Sequence, residues 1–418
     1  MNITEKILAK AAGKPSVEPG DIIEAKVDMA MSHEKAGPGF FDNFEKLNLR
    51  IWDKDKVIVV GDHAVPPSNI YSADCILKTR NFVRKHELKN YYMGKGICHQ
   101  IMPEEGFVKP GSVIVGADSH TVTQGAFGAF ATAVGSTEMA WLFAKGSLWF
   151  KVPEAMKFVL TGPLPEMVSG KDLILKIFSI LGIDGATYKT MEFAGSAIDQ
   201  LSIDSRMTLC NMVVDAGAKN GIINPDEKTY AYLEGRVIPP EKELKSDPDA
   251  SYSRTFDLDV STLEPQVACP HSMDNVTAAG EIKGIKIDQA FIGTCTGGRM
   301  EDLRVAARFL RNHKVHPDVM LVITPASNRI LKTALKEGLV ETFIDAGAMI
   351  TNPNCGACGG GGMGVLGKNE VCISASSRNN RGRMGHTESR IYLGSAATVA
   401  ASAVRGQIVD PREMDRTA

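Results

Sequence analysis

The chain has 418 residues, 44% of them hydrophobic and 23% charged, with a formal net charge of −2. That length exceeds what one ordinary core fills, so two or three domains are expected, and the composition is that of a soluble globular protein. Near-neutral charge without a polybasic or polyacidic block argues against nucleic acid or a membrane surface as partner, and no apolar run approaches the roughly 20 residues of a bilayer span.

Met1 to Lys10 has the pattern of a short amphipathic helix and lacks the apolar core and cleavage site of a signal peptide, so a cytoplasmic location is expected. Lys56–Val60 then reads as a buried strand ending in Gly61-Asp62-His63, followed by a helix from about Ile70 to His86. Ser112–Gly116 is a second strand, ending in Ala117-Asp118-Ser119-His120. Both strands deliver an Asp and a His at their carboxyl ends, where open α/β sheets place ligands. The pattern breaks near Lys151-Val-Pro153, and Met156–Leu160 starts a new strand, with helices expected around 171–181 and 205–219. Residues 239–256 are polar and proline-rich, a surface excursion. Strand–helix alternation resumes with strands at Gln289–Ile292 and Val319–Ile323 and helices near 300–311 and 327–337. The expected division is three domains, 1–153, 154–281 and 282–418.

The eight cysteines are Cys75, Cys98, Cys210, Cys269, Cys295, Cys355, Cys358 and Cys372, too scattered for a disulfide framework. Cys295, in Ile292-Gly-Thr-Cys-Thr-Gly-Gly-Arg299, and the pair Cys355-Gly-Ala-Cys358 each follow a short apolar run. Three thiolates converging from two strand ends can hold an iron–sulfur cube by three corners and leave one iron free. Spacing leaves other readings open: a zinc site, which would need a fourth ligand; a redox pair, which would need a thioredoxin-like helix start; and unliganded buried thiols. Cys75 and Cys210 read as core residues, and Cys269-Pro-His271 is a weak metal signal. Gly359–Gly364 fits GxGxxG, but a CxxC intervenes between it and the strand; Gly362–Lys368 resembles a phosphate loop but has Asn369 where Ser or Thr binds magnesium. The glycines are better explained by backbone packed closely around a bulky cofactor.

Asp62-His63, His99, Asp118 and His120 add acid–base groups, a strand-end Asp being suited to orient an imidazole. Together with Gly61-Asp-His63, His99-Gln100, Gly116-Ala-Asp-Ser-His-Thr121, Cys210-Asn-Met212, Ala216-Gly-Ala218, Gly293-Thr-Cys-Thr296, Asn352–Cys358 and Arg378-Asn-Asn-Arg-Gly-Arg383, the chain resembles the aconitase superfamily. The match is closest to the large subunits of its 3-isopropylmalate dehydratase and homoaconitase branch, and the motifs run in family order over essentially the whole chain. The resemblance implies three consecutive α/β domains around a 4Fe–4S cluster held by Cys295, Cys355 and Cys358, and a hydroxy-di- or tricarboxylic acid as substrate. In the carry-over, His63, oriented by Asp62, helps protonate the leaving hydroxyl. His99, Asp118, His120 and Asp215 line the same pocket; Ser119, Asn211, Arg378 and Arg383 contact the substrate, the arginines through its carboxylates. The serine base of the family sits on a C-terminal swivel domain, for which the roughly 35 residues after Arg383 leave no room. The resemblance therefore implies a separate small subunit carrying that domain. The expected reaction is a dehydration, with 2- to 3-isopropylmalate isomerisation first, homoaconitase or a 2,3-dimethylmalate-type dehydratase as variants, and an RNA-binding apo-protein or an electron carrier as the other classes.

Several positions depart from the family pattern: Gly297 where Asn is usual, Asp215 for Glu, Ser377 for Asn, Asn380 for an aromatic, and Ser32-His-Glu-Lys-Ala-Gly37 for His-Asp-Gly-Thr or Asn-Asp-x-Thr. All lie in motifs that face the family's active site, which implies a less common substrate. A shorter carboxylate at 215 is expected to need a water or a shifted partner.

Overall fold

The computed structural model describes residues 1–238 and 244–415. Its frame is three largely parallel sheets in chain order. The first runs 90–93, 57–61, 29–33, 113–116, 130–133 from edge to edge, all parallel. Its strand Val57–Gly61 is buried along its whole length, as a strand covered on both faces must be. The second sheet, 220–223, 190–194, 155–161, 254–259, is also parallel throughout. The third has five parallel strands, 390–393, 371–374, 289–293, 320–324 and 349–350, extended by an antiparallel hairpin of 266–268 and 276–278 that pairs through Ala268 and Leu393. A two-stranded antiparallel ribbon, 22–26 with 147–151, stands apart.

Local chemistry sets the helix starts. Asn2 and Glu5 form a capping box for helix Ile3–Ala11, and Ser169 with Asp172 forms another for Gly170–Leu181. The long helix Ile70–Lys85 begins at the Asn69 cap. The proline-rich excursion falls partly on residues 239–243, which lie outside the described residues, and its last residues enter strand Arg254–Asp259.

The helix expected over 205–219 is shorter. It runs Ile203–Met212, tightens into a 3₁₀ turn over Val213–Ala216, and stops at Gly217, where φ is 82°. Two adjacent β-branched valines disfavour further α-helix, and the tighter turn places Asp215 inward. A second 3₁₀ stretch, Ser119–Phe127, follows the strand 113–116 and is capped by Asp118. It lies so close to the second sheet that a Cβ on Gly125 would fall 1.6 Å from the carbonyl oxygen of Gly221. Only glycine permits that approach.

Candidate active site

The carboxyl ends of strands 29–33, 57–61 and 113–116 converge with the loops after strands 289–293 and 349–350. Asp118 is the hub. Its Oδ2 lies 3.1 Å from His63 Nε2, and its Oδ1 lies 2.8 Å from His99 Nε2 and accepts the His120 backbone N–H at 2.8 Å. Burial works against its charge, but His99, His120 and His63 more than offset this and hold it well below the usual carboxylate range. Asp62 Oδ1 meets His63 Nδ1 at 2.7 Å, while its Oδ2 accepts the Cys98 N–H at 2.6 Å. Burial lowers the affinity of His63 for a proton, yet the Cys355 thiol, Asp62 and Asp118 around it raise its pKa well above the ordinary value.

On the other side, the 3₁₀ turn presents Asp215, whose Oδ1 accepts from Arg378 Nε at 2.5 Å; Arg378 Nη2 donates to Ser119 Oγ at 3.2 Å. Asp215 Oδ2 stands 3.6 Å from His120 Nε2. The shorter carboxylate reaches Arg378 directly. Asp62, His63, His99, Asp118, Ser119, His120, Asp215 and Arg378 form one connected network.

Cys295 sits in a 3₁₀ turn immediately after strand Gln289–Gly293. Its neighbour Thr294 has φ 68°, an outlier for a β-branched residue, and Gly297 is packed so tightly that a Cβ would lie 2.3 Å from that of Ala375. Cys355 follows the edge strand; its backbone N–H donates to Asp62 O at 2.9 Å and its Sγ lies 3.9 Å from Asp62 Oδ2. Arg383 Nη2 points at Cys358 Sγ, 3.6 Å away, and Ser377 Oγ is 3.9 Å from the same sulfur. Burial pushes the Cys295 thiol up to about 12; burial pushes Cys358 the same way, but Arg383 outweighs it and lowers that thiol. Asn211 donates to Thr123 Oγ1 at 2.7 Å and borders Cys295.

Two observations bear on what these residues hold. None of the three cysteines is in a disulfide, and they are not among the described side-chain groups whose ligand atoms all lie within 4.8 Å of one another. Three thiolates on one zinc at about 2.3 Å would be closer than that, so the spacing suits a multi-atom group. Buried polar atoms near them lack a hydrogen-bond partner among the described residues: His99 Nδ1, Asn211 Oδ1 and Arg383 Nε, and also His120 Nε2 and Asp215 Oδ2, which have each other at ion-pair distance, 3.6 Å. Orphans of this kind in a native fold mark a place for a polar ligand.

Several functional residues escaped the sequence. His33, at the end of the central strand 29–33, stacks on His63 with centroids 4.0 Å apart and has Nε2 3.7 Å from Asp118 Oδ2. Burial, helped by the neighbouring His63, lowers it to about 4, so it stays neutral. Glu34 accepts the N–H groups of Asp62 and Ala64 at 3.1 and 2.6 Å, clamping the backbone on both sides of His63. Both lie in Ser32-His-Glu-Lys-Ala-Gly37, the segment that departs from the family motif. Of the departures, Asn380 is exposed, whereas Ser377 and Gly297 pack beside the cysteine loops. Among the described residues no helix is long and apolar enough to cross a membrane.

Residues 5–283 and 275–406 match the aconitase family (aconitate hydratase). The chain is 52% identical to the 3-isopropylmalate dehydratase large subunit of Heliobacterium modesticaldum, over 99% of this chain and 100% of the relative. It is 48% identical to a probable methanogen homoaconitase large subunit of Methanothermobacter thermautotrophicus, over 99% and 98% of the two chains. A crystal structure of Thermococcus kodakaraensis aconitase X in its holo-form superposes with a TM-score of 0.52 at 12% identity, covering 90% of this chain and 89% of that one.

Proposed function

The chain belongs to the aconitase family, and we propose that it is the large subunit of an iron–sulfur hydro-lyase that isomerises 2-isopropylmalate to 3-isopropylmalate in cytoplasmic leucine biosynthesis. The observation that carries this is the set of buried polar atoms without a hydrogen-bond partner on His99, Asn211 and Arg383, near three thiols too widely spaced for a single ion. Cys295, Cys355 and Cys358 would hold a 4Fe–4S cluster. When bound, the cluster supplies an iron without a protein ligand, a Lewis acid toward a substrate hydroxyl.

The remaining chemistry falls to the side chains. His63, its Nδ1 fixed by Asp62 at 2.7 Å, carries a proton available to the departing hydroxyl. His99, Asp118 and His120 orient the polar side of the pocket. Arg378 has the N–H groups not spent on Asp215 and Ser119 to offer a carboxylate, and Arg383 offers Nε; a planar guanidinium is suited to that task. The carbon-bound proton would leave to a base on the separate small subunit, whose swivel domain closes the pocket. Homoaconitate or a 2,3-dimethylmalate-type acid is the second reading, favoured by the unusual sequence at 32–37 and by Asp215. The decisive experiment reconstitutes the chain anaerobically, alone and with the small subunit encoded beside it, and assays a panel of substituted malates. The reading expects broad visible absorption, lost in Cys295→Ala, and turnover only by the pair. A colourless reconstituted chain overturns it.

A further inference from the structure

Beside the segment 375–376 lies a buried cation that the chemistry above does not use. Lys171 is the second residue of helix Gly170–Leu181 and is 2% exposed. A cation in the first turn opposes the helix dipole, and an ammonium buried without a counter-charge is costly. Its immediate partners are neutral: Nζ donates to the carbonyls of Ala375 at 2.9 Å and Ser376 at 2.7 Å. Among the described residues it makes no ion pair with a carboxylate. The adjacent Asp172 is spent on the Ser169 N–H and hydroxyl and on the Gln266 N–H.

What Lys171 does face is the cysteine site. Burial lowers its pKa to about 8, only partly offset by Asp302 and then by Cys295, Cys358 and Asp172. The carbonyl of Ala375 that accepts from Lys171 also accepts from Thr296 Oγ1 at 2.8 Å, one residue after Cys295. The other carbonyl, of Ser376, precedes Ser377, which lies against Cys358. The ammonium is therefore held by two carbonyls whose neighbours adjoin Cys295 and Cys358, while Arg383 Nη2 lies 3.6 Å from Cys358 Sγ.

We propose that Lys171 is the internal counter-charge of the cysteine-held group, a positioning residue that fixes the electrostatic potential at the cluster without touching substrate. The inference rests on the cluster reading above. Its test compares the reduction potential of the anaerobically reconstituted wild type with those of Lys171→Met, Lys171→Gln and Lys171→Arg, followed by electron paramagnetic resonance. Removing a nearby positive charge favours the oxidised form, so Lys171→Met and Lys171→Gln are expected to shift to more negative potential and Lys171→Arg to stay near wild type. Gln keeps a donor to the carbonyls, so it remains informative if Met does not fold. Wild-type potential in Lys171→Gln overturns the proposal, because the hydrogen bond and not the charge would then be its contribution. A wild-type chain that takes up no iron and sulfide sinks the cluster reading instead.

Discussion

Four imidazoles leaning on one carboxylate make Asp118 the residue on which the site's geometry depends. Replacing it with Asn keeps the shape but removes the charge that His63, His99 and His120 share. Turnover of the assembled enzyme is expected to fall by about 10²–10⁴, the usual contribution of a positioned acid–base group, with the circular dichroism spectrum unchanged; a loss under tenfold would remove Asp118 from the mechanism. Asp172 gives a pH prediction free of catalysis. Burial raises its pKa from 3.8 to about 6 despite three N–H and O–H donors. The native state therefore binds more protons than the unfolded state between these values, and stability falls as pH rises through that window, by about 3 kcal/mol at full ionisation. Asp172→Asn lacks this penalty, so its melting temperature relative to wild type should climb from pH 4 to pH 7. A flat difference would refute the assignment. Asp62, His63, Asp118 and His120 were legible in the sequence because each pair sits at the end of an unbroken apolar run. His33 was not, because Met-Ala-Met-Ser-His alternates too weakly to announce a central strand, and Lys171 resembled any lysine on a helix.

Helices and strands supply the positions of these groups, and the elements that deviate from regularity carry most of the site. For most of the strands and helices it picked out, sequence periodicity gave the bounds to within a residue or two, since buried parallel strands are written as continuous hydrophobic runs; others, such as 29–33, 130–133 and 371–374, it did not pick out. It overran the helix at 203–212, where the switch to a 3₁₀ turn depends on tertiary contacts of Asp215 with Arg378 and His120. Lengthening that side chain tests the turn. Because Arg378 already meets Asp215 at 2.5 Å, Asp215→Glu should push the guanidinium off Ser119, costing about 1–3 kcal/mol of stability as an overpacked site does and raising KM more than it lowers kcat. Unchanged kinetics would remove Asp215 from the argument about substrate. Gly297 makes the companion case: Asn at this position, common in the family pattern, has no room against the Ala375 methyl 2.3 Å from its Cβ. Gly297→Asn should lower the melting temperature, and pairing it with Ala375→Gly should recover part of the loss.

At the scale of the molecule, the three sheets are tied by one buried guanidinium. Arg299, at the N-terminus of helix Met300–Leu310 beside the third sheet, is 0% exposed. Its Nε donates to Gln100 Oε1 at 3.0 Å on a helix of the first sheet, and its Nη1 donates to Thr208 Oγ1 at 3.1 Å on a helix of the second. Gln100 in turn donates to Glu104 and to Tyr232 OH, and Glu104 accepts from Ser327 Oγ at 2.8 Å, back in the third sheet's layer. Such a strut cannot be read from sequence, since its bonded partners lie up to 223 residues apart along the chain and none belongs to a periodic pattern. A hydrogen-bond network of this kind holds its parts jointly, because removing one member leaves the others buried and unpaired. Arg299→Met preserves volume yet strands Gln100 Oε1, at about 1–3 kcal/mol for a buried group left without a partner, while Thr208 keeps its bond to the Asp204 carbonyl. Gln100→Leu strands Arg299 Nε in the same way, with Nη1 still bonded to Thr208. If the strut acts as a unit, the double variant should lose less in melting temperature than the two single variants summed, the difference reflecting a coupling of about 0.5–3 kcal/mol. Strict additivity would mean that Arg299 and Gln100 contribute independently, and that the relative placement of the histidines and the cysteines does not depend on this strut.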